Sequence, residues 1–184
     1  MTAEKTKGQK VKKERNQNPL RAVRLGKVTI NIGCGGNDAT IEKAKKLMEM
    51  ITDGRKPVVT LSKRRSTFGI VKGKPVGVKL TLRGEQAAKL LKMALSAVDN
   101  KIKSTQFSEK GDFSFGVKEY IELPGVKYRH DIGMLGFDVD VTLQRAGYGI
   151  SRRKIQNREI PRKHIITREE AVDWLSKNFG TTII

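Results

Sequence analysis

The chain has 184 residues, enough for one domain, and pairs 37% hydrophobic with 31% charged residues, so a modest core must coexist with solvated or partner-bound segments. Thirty-eight Lys and Arg against 19 acids give a net charge of +19, which would repel itself in a free globule and is neutralised by a polyanion such as nucleic acid. The single cysteine, Cys34, cannot form an internal disulfide, and neither a membrane-spanning apolar run nor a signal peptide is present, so a cytoplasmic, membrane-free location is expected.

Residues 1–17 are too polar and like-charged to fold alone and read as a flexible basic arm, with the turn Asn18-Pro19 preceding the first ordered element. From Leu25 to Ile32, Val28, Ile30 and Ile32 alternate with Lys27, Thr29 and Asn31, which predicts a half-buried strand with one apolar and one polar face. Gly33-Cys34-Gly35-Gly36 breaks it. A helix capped by Asp38 or Thr40 follows, with the stripe Ile41, Ala44, Leu47, Met48 and Ile51, and Gly54 ends it.

Pro57 to Leu61 and Pro75 to Leu82 read as strands, the second alternating Val76, Val78, Leu80 and Leu82 against Gly77, Lys79 and Thr81. Between them a basic loop, residues 62–74, should project. After Gly84 and Glu85, Ala88, Leu91, Leu95 and Val98 recur at helical spacing up to Asp99-Asn100, predicting a long amphipathic helix laid on the sheet. Further strands are expected at Gly116 to Leu123 and Gly136 to Leu143. A basic loop, 145–166, leads to a short helix opened by the Thr167/Glu170 capping box, carrying Ala171, Trp174 and Leu175, and stopped by Gly180. The whole predicts an α+β fold in which residues 18–184 form one domain with the arm attached.

The basic excess is localised. Residues 1–28, 55–84 and 145–168 carry +7, +9 and +7, which leaves −4 for the remainder. A surface made basic only for solubility would interleave acids in those segments, so phosphate contact is the better account. The segment Lys63 to Lys74 holds no acid; its Arg64 or Arg65 can stack on an unpaired base and its Phe68 offers an aromatic face, unless Phe68 and Ile70 fold back into the core.

Enzymatic readings fail on their own motifs. Counting from Gly33, Gly35 fits the dinucleotide-binding pattern, but Asp38 stands where its last glycine belongs and would repel a pyrophosphate. The remaining possibilities for this turn are a phosphate contact through its backbone amides and a plain tight turn, in equal measure. Cys34 has no neighbouring base, since His130 and His164 lie in separate loops, and it reads as a small buried residue. Asp138 and Asp140 share a strand face without a third ligand and read as solvated. No catalytic residue, metal site or cofactor is expected.

Specific runs then carry a resemblance: Val28-Thr29-Ile30-Asn31-Ile32-Gly33-Cys34-Gly35, Lys56-Pro57, Phe68-Gly69-Ile70, Pro75 to Glu85, Phe113-Ser114-Phe115-Gly116 and Ile121 to Val126. Over nearly its whole length the chain resembles the large-subunit ribosomal protein five family, whose members bind 5S rRNA in the central protuberance, and the basic stretch before the last helix is similar to the archaeal and eukaryotic branch. The resemblance implies an antiparallel sheet covered by helices on one side, with 5S rRNA and large-subunit rRNA held by sheet-side and turn residues. By position it implies backbone contacts from Asn31, Arg55 and Thr81, with Gly33, Gly35, Lys56 and Arg83 beside them. Arg55 departs from the family's usual glutamine; it keeps a phosphate contact but not the amide geometry. The resemblance further implies that Lys63, Arg64, Arg65, Ser66, Thr67, Phe68, Gly69 and Lys72 reach the P-site tRNA. It also implies that the less basic region after the long helix meets a small-subunit protein across an intersubunit bridge. Residues 107–142, with seven acids and four Lys or Arg, have the charge for such a protein contact. The rival classes are an RNA-modifying enzyme, for which no constellation can be assembled, and a protein-interaction module built on that acidic region.

Overall fold

The computed structural model describes residues 18–63 and 69–184. Its centre is β1, Arg24–Gly33, which pairs antiparallel on both edges, with β3 (Pro75–Leu82) and β6 (Phe137–Gln144). The outer strands are β2 (Val58–Leu61) on β3 and β5 (Phe113–Val117) on β6, giving the order β2-β3-β1-β6-β5. Because side chains alternate along a strand, one face of this sheet collects Val28, Ile30, Ile32, Val78, Leu80, Val139 and Val141, all buried.

Two helices cover that face. Helix α1, Asp38–Ile51, lies against β3 through Ile41, Ala44, Leu47, Met48 and Ile51, the stripe that its sequence spacing predicts. Its cap is Asn37 rather than Asp38 or Thr40: the Asn37 side chain accepts the Ala39 N–H at 3.1 Å, one of the amides a helix leaves unpaired. Helix α2, Glu85–Ala97, packs on β1 with Ala87, Leu90, Leu91, Ala94 and Leu95 inward. Ala88 and Val98, expected in the stripe, are only half-buried, since the face is centred between Leu90 and Leu91. A third helix, α3 (Arg168–Phe179), begins at the predicted capping box, with Thr167 Oγ1 accepting the Glu170 N–H and Glu170 Oε2 accepting the Thr167 N–H, and ends at left-handed Gly180.

Two expectations need correction. The strand predicted at 116–123 is instead Phe113–Val117, with Phe113, Phe115 and Val117 inward; Tyr120–Glu122 then forms a 3-10 turn. The turn buries Tyr120 and Leu123 at a spacing of three, and fully buried Tyr120 accepts the Arg129 N–H on its hydroxyl at 2.9 Å. A strand could not place both residues inward, because its period is two. The second correction is an addition: β4 (Lys101–Ile102) and β7 (Thr182–Ile183) pair in parallel and tie the end of α2 to the residues after α3. A two-residue strand carries no periodic signal.

Gly77 has no room for a side chain. A Cβ there would stand 2.6 Å from the Ile32 carbonyl oxygen, whereas at its cross-strand partner Gly33 nothing lies within 4 Å. Gly77→Ala should therefore lower stability by about 1–3 kcal/mol, the usual cost of overpacking, and Gly33→Ala should leave the urea midpoint nearly unchanged.

Candidate nucleic-acid interface

With α1 and α2 on one face, the polar positions of the strands form the other. Asn31 lies between Lys79 of β3 and Asp138 of β6; one step along β1, Thr29 lies between Thr81 and Asp140. The Thr29 and Thr81 hydroxyls are 3.3 Å apart. Lys79, Thr81, Asp138, Asp140 and Ser114 are exposed, and Asn31 and Thr29 are half-buried by their neighbours on both sides. The face is divided by charge: Lys79 and the threonines stand on the β3 side, the two aspartates on the β6 side. Partial desolvation by the surrounding sheet, although the side chain remains largely exposed, and the neighbouring Asp138 raise the Asp140 carboxyl above its ordinary range, partly offset by Lys27.

The residues expected to bind RNA lie along this face and at both its ends. Asn31 and Thr81 sit on adjacent strands, as the register requires. Arg55 and Lys56 are exposed in the connection from α1 to β2; Val58 opposes Lys79, so the chain just before it runs beside the Thr81 to Arg83 end of β3. Gly33 lies at the opposite end of the face, across from Gly77. There the turn is tight, with Gly35 and Gly36 at positive φ and the Asn37 N–H donating to the Cys34 carbonyl at 3.2 Å. The Ala39 amide at the start of α1 is already taken by Asn37. Cys34 is buried, and burial pushes its thiol up.

At that same end the 62–74 loop is rooted. The Ser62 N–H donates to Lys74 O and the Gly73 N–H to Ser62 O, both at 2.9 Å, and the register of β2 on β3 shifts between Thr60 and Leu61. The Lys74 side chain passes 3.6 Å from the position of a Gly36 Cβ, so the root of the loop touches the glycine turn. Lys63, Gly69 and Lys72 are exposed and Ile70 is half-buried. The expectations for Arg64, Arg65, Ser66, Thr67 and Phe68, and those for residues 1–17, lie outside the described residues.

The 145–166 segment has no long regular element but is pinned. Arg145, buried, forms a 2.7 Å ion pair with Glu170 of α3, and Tyr148 donates its hydroxyl proton to His164 O while accepting the Ile166 N–H, each at 3.1 Å. Around this knot Arg152, Arg153, Lys154, Arg158, Arg162 and Lys163 are exposed. Lys79 and Thr29 are absent from the residues expected to bind RNA, and Lys74 is expected only as part of the basic loop. The signal for Lys79 is its alternation with Thr81; the contact of Lys74 with Gly36 has none, since it depends on tertiary placement.

Among the described residues no group of three or more His, Cys, Asp or Glu is placed to hold a metal ion, and no helix is long and apolar enough to cross a membrane. Residues 18–70 match the family model described as ribosomal protein L5, and residues 75–174 match the model of the same ribosomal family's C-terminus. The chain belongs to the ribosomal protein L5 family. It is 44% identical over 169 residues to the large ribosomal subunit protein uL5 of Sulfurisphaera tokodaii, covering 91% of this chain and 95% of that protein. The protein of the same name from Methanosphaera stadtmanae is 44% identical over 86% of this chain and 95% of its own length. That from Nanoarchaeum equitans is 43% identical over 91% of this chain and 99% of its own. Membership of the L5 family, in its archaeal form, makes the chain a structural ribosomal protein and not an enzyme.

The perturbed carboxylate on the open face has a measurable consequence. A raised folded-state pKa favours the protonated form, so the stability linked to Asp140 is present below the ordinary carboxylate range and is lost as pH rises through the raised value. Asp140→Asn should therefore melt at a higher temperature than the parent at pH 7, with the gap closing as pH falls below the usual carboxylate pKa.

Proposed function

We propose that this structural protein of the large ribosomal subunit holds 5S rRNA on the sheet face opposite α1 and α2 and at the two basic ends of that face. The observation that carries the reading is the row of Thr29, Asn31, Lys79 and Thr81 across two adjacent strands, on the face opposite the one that α1 and α2 pack against. Hydroxyl and amide groups on a sheet can position sugar and phosphate oxygens, and lysine and arginine supply the sequence-independent attraction. Arg55 and Lys56 extend this surface past one end of β3, and the Gly33 to Gly36 turn extends it past the other. In this role the protein attaches 5S rRNA in the central protuberance and also meets large-subunit rRNA, with Arg55 making a phosphate contact.

The same reading assigns the 63–74 loop to the P-site tRNA. Its sequence is basic throughout, and its hairpin root lies at one end of the sheet, so the loop is free to serve a second RNA. An intersubunit protein contact is assigned to residues 107–142, where seven acids stand against four Lys or Arg and Ile121, Tyr128 and Met134 are exposed. Exposed apolar side chains within an acid-rich stretch suit a protein better than RNA.

In a filter-binding titration with 5S rRNA, the logarithm of affinity should fall with the logarithm of salt concentration by roughly 0.7 to 0.9 per phosphate neutralised; a flat response would exclude the reading. Lys79→Ala and Thr81→Ala should weaken 5S rRNA binding and leave tRNA occupancy of rebuilt ribosomes intact. Replacing Arg64 and Arg65 with Ala should do the reverse, and equal loss of both activities in either set would remove the division of roles.

A further inference from the structure

Where β6 leaves the sheet, a cleft of about 440 Å³ opens between the strand end and the 145–166 segment. Leu143, Ile160 and Ile165 line it together with Tyr148, whose hydroxyl is already engaged by His164 and Ile166. The ring is therefore fixed and offers its apolar surface. Asp112 also lines the cleft; it is half-buried and, among the described residues, has no ion-pair partner within 4 Å. Lys110 and Arg152 line it too and are exposed, as is Glu159. Thr142, a further lining residue, opposes Lys27 of β1. Since Lys27 lies in the same alternation as Thr29 and Asn31, the cleft adjoins the open sheet face.

We propose that this cleft binds an unpaired guanine base of RNA. The inference rests on the RNA-binding reading of the open face and names a base-recognising element at its edge. Aromatic and aliphatic walls suit a nucleobase, because single-stranded RNA is read by stacking unpaired bases and hydrogen-bonding their edges. The polar groups then select among the bases. A carboxylate only accepts hydrogen bonds, and guanine is the base whose Watson–Crick edge presents two adjacent donors, N1–H and N2–H, matching two carboxylate oxygens. Guanine also carries the acceptor pair O6 and N7 that lysine and arginine favour. Adenine and cytosine would each set a ring-nitrogen acceptor against the Asp112 carboxylate, and uracil would bring two carbonyl oxygens to it.

The state of Asp112 in the free protein fits such a ligand. Burial pushes its carboxyl up, against the opposing pull of the Leu143 backbone N–H and of Lys27, Lys110 and Arg152. Two N–H donors from a base would restore hydrogen bonds lost with water, while the cations would meet O6, N7 or the flanking phosphates.

The test uses the full-length protein and nine-nucleotide oligouridines with uridine, guanosine, inosine or adenosine at the centre, with affinity read by fluorescence anisotropy. The guanosine oligomer should bind about 10-fold tighter than the uridine or adenosine oligomers, with inosine, which lacks the 2-amino group, in between. Asp112→Ala should remove the guanosine preference while keeping the affinity for plain oligouridine, and Asp112→Asn, with one acceptor left, should retain part of it. Comparison of the four oligomers on the unaltered protein stands even if a variant folds poorly. Equal, salt-dependent binding of all four would overturn the guanine cleft and leave the RNA-binding reading in place; no binding of any would remove both. Loss of the preference on adding guanosine monophosphate well below the oligomer's own Kd would overturn RNA as the source in favour of a free nucleotide.

Discussion

Strand β1 is hydrogen-bonded along both edges, and the rest of the molecule follows from that constraint. With β3 on one side and β6 on the other, its register cannot slip by one residue without turning Val28, Ile30 and Ile32 out and Lys27, Thr29 and Asn31 in. Each of those apolar side chains is worth about 1.5–3 kcal/mol when buried, so the apolar stripe holds the register and the register in turn aligns the polar row. Thr29 opposite Thr81 and Asn31 opposite Lys79 are thus positioned by the core on the other side of the sheet.

The charge distribution follows a different logic. Among the described residues there is one ion pair, Arg145 with Glu170, although the chain carries a net +19. Most cations are therefore left to solvent and to each other, which strains the free protein and favours a polyanionic partner. The single pair is also the one with a structural task. Glu170 Oε2 accepts the Thr167 N–H in the capping box and also holds Arg145, so one carboxylate fixes both the start of α3 and the start of the basic 145–166 segment. The exposed arginines and lysines of that segment are then carried on a pinned backbone, so less entropy would be lost on binding a polyanion.

Much of this was legible in the sequence, and the failures have physical causes. Period-two and period-3.6 patterns mark β1, β3, β6, α1 and α2 because each buries one face against the core, and a capping box marks α3. The 116–123 strand was misplaced because Tyr120, Ile121 and Leu123 are β-prone by type, whereas the chain turns after Val117 and buries Tyr120 and Leu123 at a spacing of three. Of the candidate interface, Asn31 and Thr81 could be placed on one face by alternation alone. Their adjacency to each other's strands, the reach of Lys74 to Gly36 and the cleft around Asp112 and Tyr148 depend on pairings more than 30 residues apart in sequence, which no local pattern encodes.

Strand β3 links the two ends of the proposed RNA surface. It begins at Pro75, directly after the root of the 62–74 loop, and ends at Leu82, beside Thr81 and Arg83. Eight residues of extended chain span roughly 25 Å, and β3 is paired with β2 and β1 on its two edges, so it cannot bend independently. The register shift between Thr60 and Leu61 and the approach of the Lys74 side chain to Gly36 both lie at the root of that loop. A displacement of the loop root would have to be accommodated by the same ladder that holds Lys79 and Thr81 in place. If the loop meets one RNA and the sheet another, the two are therefore held at a separation defined by hydrogen-bonded backbone, with no room for a side chain where Gly77 meets the Ile32 carbonyl.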